Sequence, residues 1–360
     1  MHKNFKVLAI NPGSTTTKIG LFSGETSLFE KNITHSVSDL KKYERTIDQY
    51  EFRLALISKA VEVSGLIWET LDAVVGRGGL LKPLESGTYR ITPEMLHDLI
   101  ERPAADHASN LGPGLAFHFA RRLNIPAYTV DPVVVDEMDE VARLSGHPDM
   151  RRSSRLHALN MKAVARRISK QLGKIYSETT LVTAHLGSGF SIAIHHKGRM
   201  IDTTNAMDDG PFSVERAGEL PLTQVVDFCW DHFRRGMSAE DVRRILTRES
   251  GVFGYLGTKD IRQAERRASE GDNLANLVLQ ALVYQVAKAI GAMATVVEGN
   301  VDGIIITGGV ANSEYIASAI EKRVKSIAPV FIEPGEKELL ALAQGALRVL
   351  CGEEVAKDYT

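Results

Sequence analysis

Two short glycine-containing turns have the composition of a phosphate-binding site. Residues 11–18 read Asn-Pro-Gly-Ser-Thr-Thr-Thr-Lys, and residues 185–189 read His-Leu-Gly-Ser-Gly. Glycine permits the positive φ of a tight turn, so that backbone N–H groups and hydroxyls can point at one anion. Lys18 adds a cation beside the first turn. Such turns often bind nothing, but one in each half of the chain predicts a nucleotide triphosphate held between two domains.

A third glycine turn lies at the end of an apolar strand, where Gly308 and Gly309 follow residues 303–307. Without side chains, this backbone could approach a flat ligand closely, and a plain strand-to-helix turn is the alternative. The sequence lacks the motifs of P-loop nucleotidases, dinucleotide-binding folds, zinc proteases and α/β-hydrolases.

Three charged residues follow predicted strands or turns. Arg77 is flanked by glycines and could bind a carboxylate or phosphate through two hydrogen bonds. Asp131 ends a strand, where a carboxylate could serve Mg²⁺. Arg216 follows the acidic turn at residues 208–210. Each residue also has a purely structural alternative. Arg77 could be a solvated loop arginine, Asp131 part of an ordinary Asp-Pro turn, and Arg216 half of a surface ion pair.

Four of the eleven histidines lie near these turns or near the predicted domain boundary: His107, His147, His157 and His185. None of them has the spacing of a metal-ligand set. A single histidine in a sequence is usually structural, so none of these carries a function by itself.

Strand-like segments alternate with helical ones, which favours an α/β architecture. The strands are predicted at residues 7–10, 73–75, 127–130, 181–184, 191–195 and 303–306, and the helices at 48–63, 93–101, 156–172, 239–248, 274–297, 313–326 and 338–350. A strand–turn–strand hairpin opens each half, with Gly13 and Gly187 separated by 174 residues. This repeat predicts a duplicated domain, with chance similarity of two common hairpins as the alternative. The boundary is expected near residues 145–154.

Length and composition set the class of protein. The chain has 360 residues and a formal charge of −2, which suits two globular domains and gives no electrostatic footprint for nucleic acid or an anionic membrane. Two cysteines, Cys229 and Cys351, are too few for a disulfide framework or a zinc site. The apolar run at residues 277–297 contains Gln280, Gln285 and Lys288 and is predicted to be a buried helix. No targeting segment is visible, so a cytoplasmic location is expected.

Taken in order, the motifs resemble those of the acetokinase family, most closely its butyrate kinase branch. Residues 11–18 resemble the family's N-terminal signature, and residues 185–189 followed by Asp202 and Thr203 resemble its second signature. The stretches typical of the branch are at residues 75–80, 107–112, 130–136 and 210–216. The resemblance covers nearly the whole chain.

The resemblance implies a fold, a reaction and partners. The fold would be two duplicated actin-like, ribonuclease H-like α/β domains of the sugar kinase, heat-shock chaperone and actin superfamily, around a nucleotide cleft. The domains would span residues 1–153 with a C-terminal helix at about 338–360, and residues 154–337. The reaction would be butanoate + ATP = butanoyl phosphate + ADP, by direct in-line transfer with Mg²⁺. A homo-oligomer, at least a dimer, is implied, with butyrate or isobutyrate as the acid.

The resemblance also assigns roles to residues. Asn11 and Asp131 would organise Mg²⁺ and the phosphates. Arg77 would hold the substrate carboxylate, His107 would help to position the substrate, His157 would hydrogen-bond the phosphoryl oxygens and Arg216 would stabilise the transferring phosphoryl group. The residues expected to bind the nucleotide are Asn11, Ser14, Thr16, Lys18, His185, Gly187, Ser188, Gly189, Gly308, Gly309 and Asn312.

Some positions depart from the acetate kinase pattern. Acetate kinases place the substrate arginine three residues before Arg77, where this chain has Val74, so the role of Arg77 is assigned by function rather than by alignment. Gln344 aligns with a metal-associated glutamate, which leaves a second carboxylate for the metal unassigned. Gly76 and Leu156 align with larger residues of the acetate methyl pocket, which predicts room for a longer acyl chain.

Two alternatives remain open at the level of sequence. One is a propionate or branched-chain acid kinase of the same family. The other is a non-catalytic ATP switch with an actin-like or heat-shock-chaperone-like fold, which shares the hairpins but has no need of Arg77 and His157.

Overall fold

The computed structural model describes residues 4–65 and 67–360. They form two compact units. Unit 1 contains the described residues up to Asp136, Ala158–Asn160 and Lys337–Thr360. Unit 2 contains Glu137–His157 and Met161–Glu336. The domain bounds expected from the sequence, 1–153 with 338–360 and 154–337, stay a prediction.

Unit 1 is built on a six-stranded mixed sheet with the order β3-β2-β1-β4-β6-β5. Its strands are β1 Lys6–Pro12, β2 Thr16–Ser23, β3 Thr26–Thr34, β4 Ala73–Arg77, β5 Thr88–Arg90 and β6 Ala127–Val130. β1, β2 and β3 form an antiparallel meander, whereas β1, β4 and β6 run parallel. The carboxyl ends of β1, β4 and β6 therefore meet at one edge of the sheet, which is where ligands bind in sheets of this kind.

Unit 2 repeats this layout in a five-stranded sheet with the order β11-β10-β7-β8-β9. Its strands are β7 Thr180–Leu186, β8 Phe190–His196, β9 Arg199–Thr203, β10 Gly303–Gly308 and β11 Val330–Pro334. An antiparallel meander, β7-β8-β9, is again followed by two parallel strands, β10 and β11. Because the strand order of the five shared strands is the same in both units, the predicted α/β duplication is confirmed.

Helices connect and cover the strands. They are α1 Val37–Leu40, α2 Tyr50–Val63, α3 Pro93–Glu101, α4 Leu111–Leu123, α5 Glu140–Arg143, α6 Ala158–Gln171, α7 Leu222–Arg234, α8 Ala239–Arg248, α9 Gly251–Leu256, α10 Ile261–Ser269, α11 Asn273–Thr295, α12 Glu314–Val324 and α13 Glu338–Leu350. Short 3₁₀ turns lie at Thr46–Gln49, Trp68–Thr70, Ala108–Asn110, Tyr176–Glu178 and Gly309–Asn312. α13 ends before residue 360, because Gly352 has a φ of +75° that terminates the helix.

Glycines let two helices approach the unit 1 sheet closely. A Cβ on Gly345 of α13 would lie 2.4 Å from the side chain of Val130. A Cβ on Gly76 of β4 would lie 2.1 Å from the backbone oxygen of Gly112 in α4. The expectation that Gly76 leaves room for a longer acyl chain is therefore wrong, because the backbone of α4 fills that space.

The long apolar helix α11 is part of the unit 2 core. Among the described residues, it alone is long and apolar enough to cross a membrane by length and composition. Its residues Val278, Leu282, Val286 and Ile290 are buried in a cluster with side chains of the unit 2 sheet. This packing agrees with the predicted buried helix.

Candidate active site

The first glycine turn, between β1 and β2, is fixed from beneath by a fully buried arginine of α2, Arg53. The guanidinium donates to main-chain and side-chain oxygens: Gly13 O (2.8 Å), Thr16 O (3.0 Å), Thr17 Oγ1 (3.0 Å), Ser14 O (3.3 Å) and Gln49 Oε1 (2.8 and 3.1 Å). Burial lowers the pKa of Arg53 to about 10. The turn is rigid because its carbonyls are held by Arg53, while the N–H groups of Ser14 and Thr15 have no acceptor in the described part of the chain.

A carboxylate at the start of α13 joins the ends of two neighbouring strands. Asn11 Nδ2, at the end of β1, donates to Glu338 Oε2 at 2.6 Å. Arg77, at the end of β4, forms an ion pair with the other oxygen of Glu338. Both charged side chains are mostly buried, which strengthens their attraction. Asn11 and Arg77, predicted separately, are thus brought together by a glutamate.

Asp131 follows β6, the next strand of the same sheet edge. It is buried, has a φ of +38° and exchanges two hydrogen bonds with Gly87, through its own N–H (3.0 Å) and its Oδ1 (2.8 Å). A positive φ outside glycine is uncommon and marks a position fixed by its surroundings. The carboxylate is therefore held at the edge where Asn11 and Arg77 also end their strands.

The second glycine turn, between β7 and β8, adjoins a pair of histidines. The rings of His157 and His185 are stacked, with centroids 4.0 Å apart and planes inclined by 15°. His157 Nδ1 lies 2.9 Å from Ser191 Oγ, and His185 Nε2 lies 3.0 Å from Glu336 Oε1. A Cβ on Gly187 would lie 3.2 Å from His185 Nε2, so the pair borders the turn directly.

Arg216 covers the other end of the same turn. A Cβ on Gly189 would lie 2.3–3.0 Å from three atoms of its guanidinium, so only glycine leaves room for the arginine here. Nη1 donates to Ala206 O at 2.7 Å, and Ser213 Oγ, which accepts from the Arg216 backbone, donates to Ser188 O at 2.7 Å. Burial lowers the pKa of Arg216, and its buried Nε has no hydrogen-bond partner among the described residues.

The third glycine turn is tight on one side and open on the other. Gly308 has a φ of +92°, and a Cβ there would lie 2.5 Å from Leu186 O. A Cβ on Gly309 would meet nothing within 4 Å. Asn312 Nδ2 donates to Gly309 O at 2.8 Å and keeps the turn closed. The open face over Gly309 fits the expected approach of a flat ligand.

The structure thus gathers most predicted site residues into two groups, one in each unit. Asn11, Ser14, Thr16, Arg77 and Asp131 lie at the carboxyl edge of the unit 1 sheet, and His157, His185, Gly187, Ser188, Gly189, Arg216, Gly308, Gly309 and Asn312 lie around the turns of unit 2. Lys18 is the β2 register partner of Asn11 and is exposed. His107 is exposed and caps the 3₁₀ turn that follows it, through Ser109.

Glu338 is the residue that sequence reasoning missed. The family pattern points instead to Gln344, which lies six residues further along α13. An acidic residue in the first turn of a helix is commonly explained by the helix dipole alone. The available signal was the set of small residues at positions 341, 343, 345 and 346, which predicts a helix packed close to the sheet and so places its first residue at the strand ends.

The side chains at the unit 1 edge include the oxygen-bearing types that Mg²⁺ binds, but they are few. No group of three or more His, Cys, Asp or Glu side chains that could hold a metal occurs within residues 4–65 and 67–360. Mg²⁺ usually takes only one or two protein carboxylates and completes its shell with water and substrate phosphates. Glu338 and Asp131 carry carboxylates and Asn11 an amide oxygen, while the two oxygens of Glu338 contact Asn11 Nδ2 and Arg77, and Asp131 Oδ1 accepts from Gly87 N.

The amino-acid sequence is similar to those of known proteins over its whole length. The family model described as the acetokinase family matches residues 147–340. Butyrate kinase 1 of Clostridium acetobutylicum is 48% identical over 356 residues, which is 99% of both chains.

Solved structures show the same fold. Acetate kinase of Porphyromonas gingivalis is 22% identical with a TM-score of 0.75 over 96% of this chain and 100% of that one. Acetate kinase of Entamoeba histolytica is 16% identical with a TM-score of 0.75 over 96% and 99%. The fold, the two glycine turns and the full-length similarity lead to one conclusion: the chain belongs to the acetokinase family.

Proposed function

We propose that the chain is a butyrate kinase, which transfers the γ-phosphoryl group of ATP to butanoate and forms butanoyl phosphate and ADP. The full-length 48% identity to a butyrate kinase carries this proposal. The two groups of site residues support it, because one is rich in donors for phosphate and the other holds an arginine and carboxylates at a sheet edge.

The acceptor needs no general base. A carboxylic acid is already ionised at neutral pH, so its oxygen attacks the γ-phosphorus directly while the bond to the ADP oxygen breaks. Catalysis then consists of aligning two anions and neutralising their charge. Arg77 is the proposed ligand of the butanoate carboxylate, with His107 helping to position the acid. The ion pair with Glu338 fixes the side chain of Arg77 beforehand.

Unit 2 supplies the groups for the transferring phosphoryl. Arg216 is proposed to stabilise the negative charge of the transferring phosphoryl group. A buried guanidinium attracts an anion more strongly than an exposed one does. His157 and His185 are proposed to hydrogen-bond the oxygens of the same group. The backbone of Gly187–Gly189 and of Ser14–Thr16 would bind the phosphates, with Lys18 nearby, and Gly308, Gly309 and Asn312 would lie beside the adenosine.

Asn11, Asp131 and Glu338 are the proposed residues for Mg²⁺. When bound, the ion would neutralise charge on the phosphates and orient them. Because Glu338 also holds Asn11, Glu338→Gln should raise the half-saturating Mg²⁺ concentration by about 10-fold or more. Glu353→Gln, an exposed change in the same C-terminal segment, should leave it unchanged.

The decisive test is a hydroxylamine trap with purified protein, ATP and Mg²⁺. Acetate, propionate, butyrate, isobutyrate and a blank without acid run in parallel, and acyl hydroxamate is measured. Formation that is fastest with butyrate would support the proposal. A clear preference for isobutyrate or propionate would favour the branched-chain or propionate kinase. Nucleotide binding without any hydroxamate would favour the ATP switch.

Location and assembly are proposed with the same activity. A metabolic kinase whose long apolar helix packs in its own core fits the cytoplasm. A homo-oligomer, at least a dimer, is proposed as the working form.

A further inference from the structure

Arg152 is an arginine of unit 2 that belongs to neither group of site residues, and its side chain is 27% exposed. Through Nη1 the guanidinium donates to Ala142 O (2.7 Å) and Asp202 Oδ1 (2.9 Å), and through Nη2 to Thr203 O (2.8 Å). Its Nε lies 3.6 Å from Asp209 Oδ2. Two carboxylates and two carbonyls from separate segments of the chain thus meet at one cation, which is more than a surface ion pair provides.

The loop that follows β9 is tied to the chain next to Arg152. Asn205 Nδ2 donates to the carbonyl of the residue after Arg152 at 3.0 Å, and Ala206 N donates to Arg155 O at 3.0 Å. From the other side, Asn205 N donates to Asp209 Oδ1 at 2.6 Å. Asn205 is itself buried, so its amide groups need these partners. The main chain at Asn205 and Ala206 is therefore held in one position.

Asp209 depends on Arg152 for the compensation of its charge. Burial raises the pKa of the Asp209 carboxyl, and the charge of Arg152 acts against this shift. If the guanidinium is removed, the carboxylate loses this compensation while it still accepts from Asn205 N. A mostly buried charge that loses its partner is costly, so the surrounding loop is expected to rearrange. Arg152 thus stabilises the form of Asp209 that holds Asn205.

Ala206 connects this arrangement to Arg216. Arg216 Nη1 donates to Ala206 O at 2.7 Å, and the same guanidinium lies 2.3 Å from the position of a Cβ on Gly189. The direction of a hydrogen bond follows its acceptor, so a shift of Ala206 O would move the guanidinium over the second glycine turn. A misplacement of about 1 Å at a reacting group can cost about 100-fold in rate.

We propose that Arg152 is a positioning residue for phosphoryl transfer, which fixes Ala206 O and thereby the guanidinium of Arg216. This role rests on the proposed function, in which Arg216 stabilises the transferring phosphoryl group. It also accounts for Asp202 and Thr203, which resemble part of the family's second signature and have no task in the proposed reaction. They supply two of the acceptors that hold Arg152 in place.

Steady-state kinetics of hydroxamate formation test this role. Arg152→Met should lower kcat by about 10- to 100-fold and change KM for ATP and butyrate by less than about threefold, since the alignment of the reacting groups is lost rather than a ground-state contact. A kcat of folded Arg152→Met within about threefold of wild type would overturn the proposal.

Arg267→Met is the matched control. Arg267 also lies in unit 2, is 35% exposed and donates to Asp272 and to Leu256 O, but it contacts no residue of the site groups through these bonds. Its replacement should lower the melting temperature to a similar extent and leave kcat unchanged. An equal loss of kcat in Arg267→Met would show that general destabilisation explains the effect, which would overturn the positioning role of Arg152.

A double-mutant cycle with Arg216 separates positioning from a purely structural role. In the Arg216→Ala background, Arg152→Met should change kcat by less than about threefold, because the group that Arg152 positions is gone. A loss as large as in wild type would show that Arg152 acts through another residue, and the assignment would be wrong.

Asp209→Ala provides a test that keeps Arg152 in the chain. It removes the acceptor of Asn205 N and should lower kcat about 10-fold, whereas Asp208→Ala, at the exposed neighbouring carboxylate, should not. Equal kcat values for Asp209→Ala and wild type would contradict the proposal even if Arg152→Met does not fold.

Hydrogen exchange measured by mass spectrometry tests the same contacts without reference to activity. Peptides that cover residues 204–209 should exchange about 10-fold faster in Arg152→Met than in wild type or Arg267→Met, because their amides lose fixed acceptors. Unchanged exchange would overturn the proposal whatever the kinetics. A wild type that forms no hydroxamate would refute the proposed function, and faster exchange in Arg152→Met would then still support the hold of Arg152 on Ala206.

Discussion

The two glycine turns are built on the same strand–turn–strand scaffold, but an arginine contacts them in opposite ways. Under the turn at residues 13–16, every nitrogen of the Arg53 guanidinium donates to a protein oxygen. Over the turn at residues 187–189, Arg216 donates to Ala206 O and keeps a buried Nε without a partner among the described residues.

We propose that this difference separates a structural role in unit 1 from a catalytic role in unit 2. A guanidinium with all its donors used holds the backbone and has nothing left for a ligand. A guanidinium that is buried but incompletely paired is poised for an anion, because the missing partner costs free energy until one binds. We therefore assign a structural role to Arg53 and a catalytic one to Arg216, and four predictions test this division.

The largest expected effect is on the rate. Arg216→Ala should lower kcat for acyl phosphate formation about 10³-fold or more, as for other arginines that stabilise a transferring phosphoryl group. The melting temperature should change little, because Nη1 donates to Ala206 O and the buried Nε has no partner among the described residues. Steady-state kinetics and thermal unfolding measure the two effects. Arg121→Ala, at an exposed arginine of α4, is the control and should alter neither.

The reverse pattern is expected for the other arginine. Arg53→Met should lower the free energy of unfolding by about 3 kcal/mol, because the carbonyls of the first turn lose their buried donors. Urea denaturation measures this. Arg45→Met, which removes a surface ion pair with Asp48, should cost no more than about 0.5 kcal/mol. If Arg53→Met is as stable as Arg45→Met, Arg53 does not have the structural role proposed for it.

A matched pair of glycine substitutions sharpens the comparison. Gly189→Ala inserts a Cβ within 2.3–3.0 Å of the Arg216 guanidinium, which must move, so kcat should fall about 100-fold with little loss of stability. Gly13→Ala inserts a Cβ 3.3 Å from Thr16 Oγ1, a hydroxyl that can rotate away, and should cost less than 10-fold. Equal losses of kcat in the two variants would contradict the division.

The smallest effect concerns pH and the first hairpin. Burial and the charge of Arg53 lower the pKa of His35 to about 4. Thr17 Oγ1 accepts from Arg53 Nη1 and lies 2.8 Å from His35 Nε2, so the ring is held close to the guanidinium charge. Between pH 6.5 and 4 the unfolded chain binds more protons than the folded one, so the stability of the fold falls as the pH is lowered.

Urea denaturation at pH 7 and pH 5 checks this effect. Wild type should lose about 1–2 kcal/mol more than His35→Gln, because the variant has no imidazole to protonate. His97→Gln, at an exposed histidine, should behave like wild type. A His35→Gln curve that follows wild type at both pH values would show that His35 does not sense pH.

Much of the fold follows from local sequence signals. Helices α3 and α8 have their predicted bounds because Thr92 and Ser238 cap them, the latter in a capping box with Asp241. The predicted strands coincide with parts of β1, β4, β6, β7, β8 and β10, since these are central strands with continuous apolar runs. Helices α4 and α7 and the edge strands β3 and β11 were not predicted, because glycine, proline or exposed polar residues obscure their patterns.

The sequence predicts the glycine turns of the site, but it does not predict which side chains contact them. Gly13, Gly187 and Gly309 stand out in the sequence because each directly follows an apolar strand or lies within two residues of its end, where a glycine marks a turn. The roles of Glu338 and Arg53 depend on the packing of distant segments, which no local pattern reports. For Gly76 a local feature was misleading. Its small size allows the close approach of the α4 backbone and does not make room for a longer acyl chain.

Chemical rescue of Arg216→Ala tests the central assignment most directly. The rate of hydroxamate formation from butyrate is measured with and without millimolar guanidine. The assignment predicts a loss of about 10³-fold and a recovery of about 10-fold or more, because free guanidinium can occupy the space over Gly189. An Arg216→Ala enzyme within about threefold of the wild-type rate would show that catalysis does not depend on this arginine.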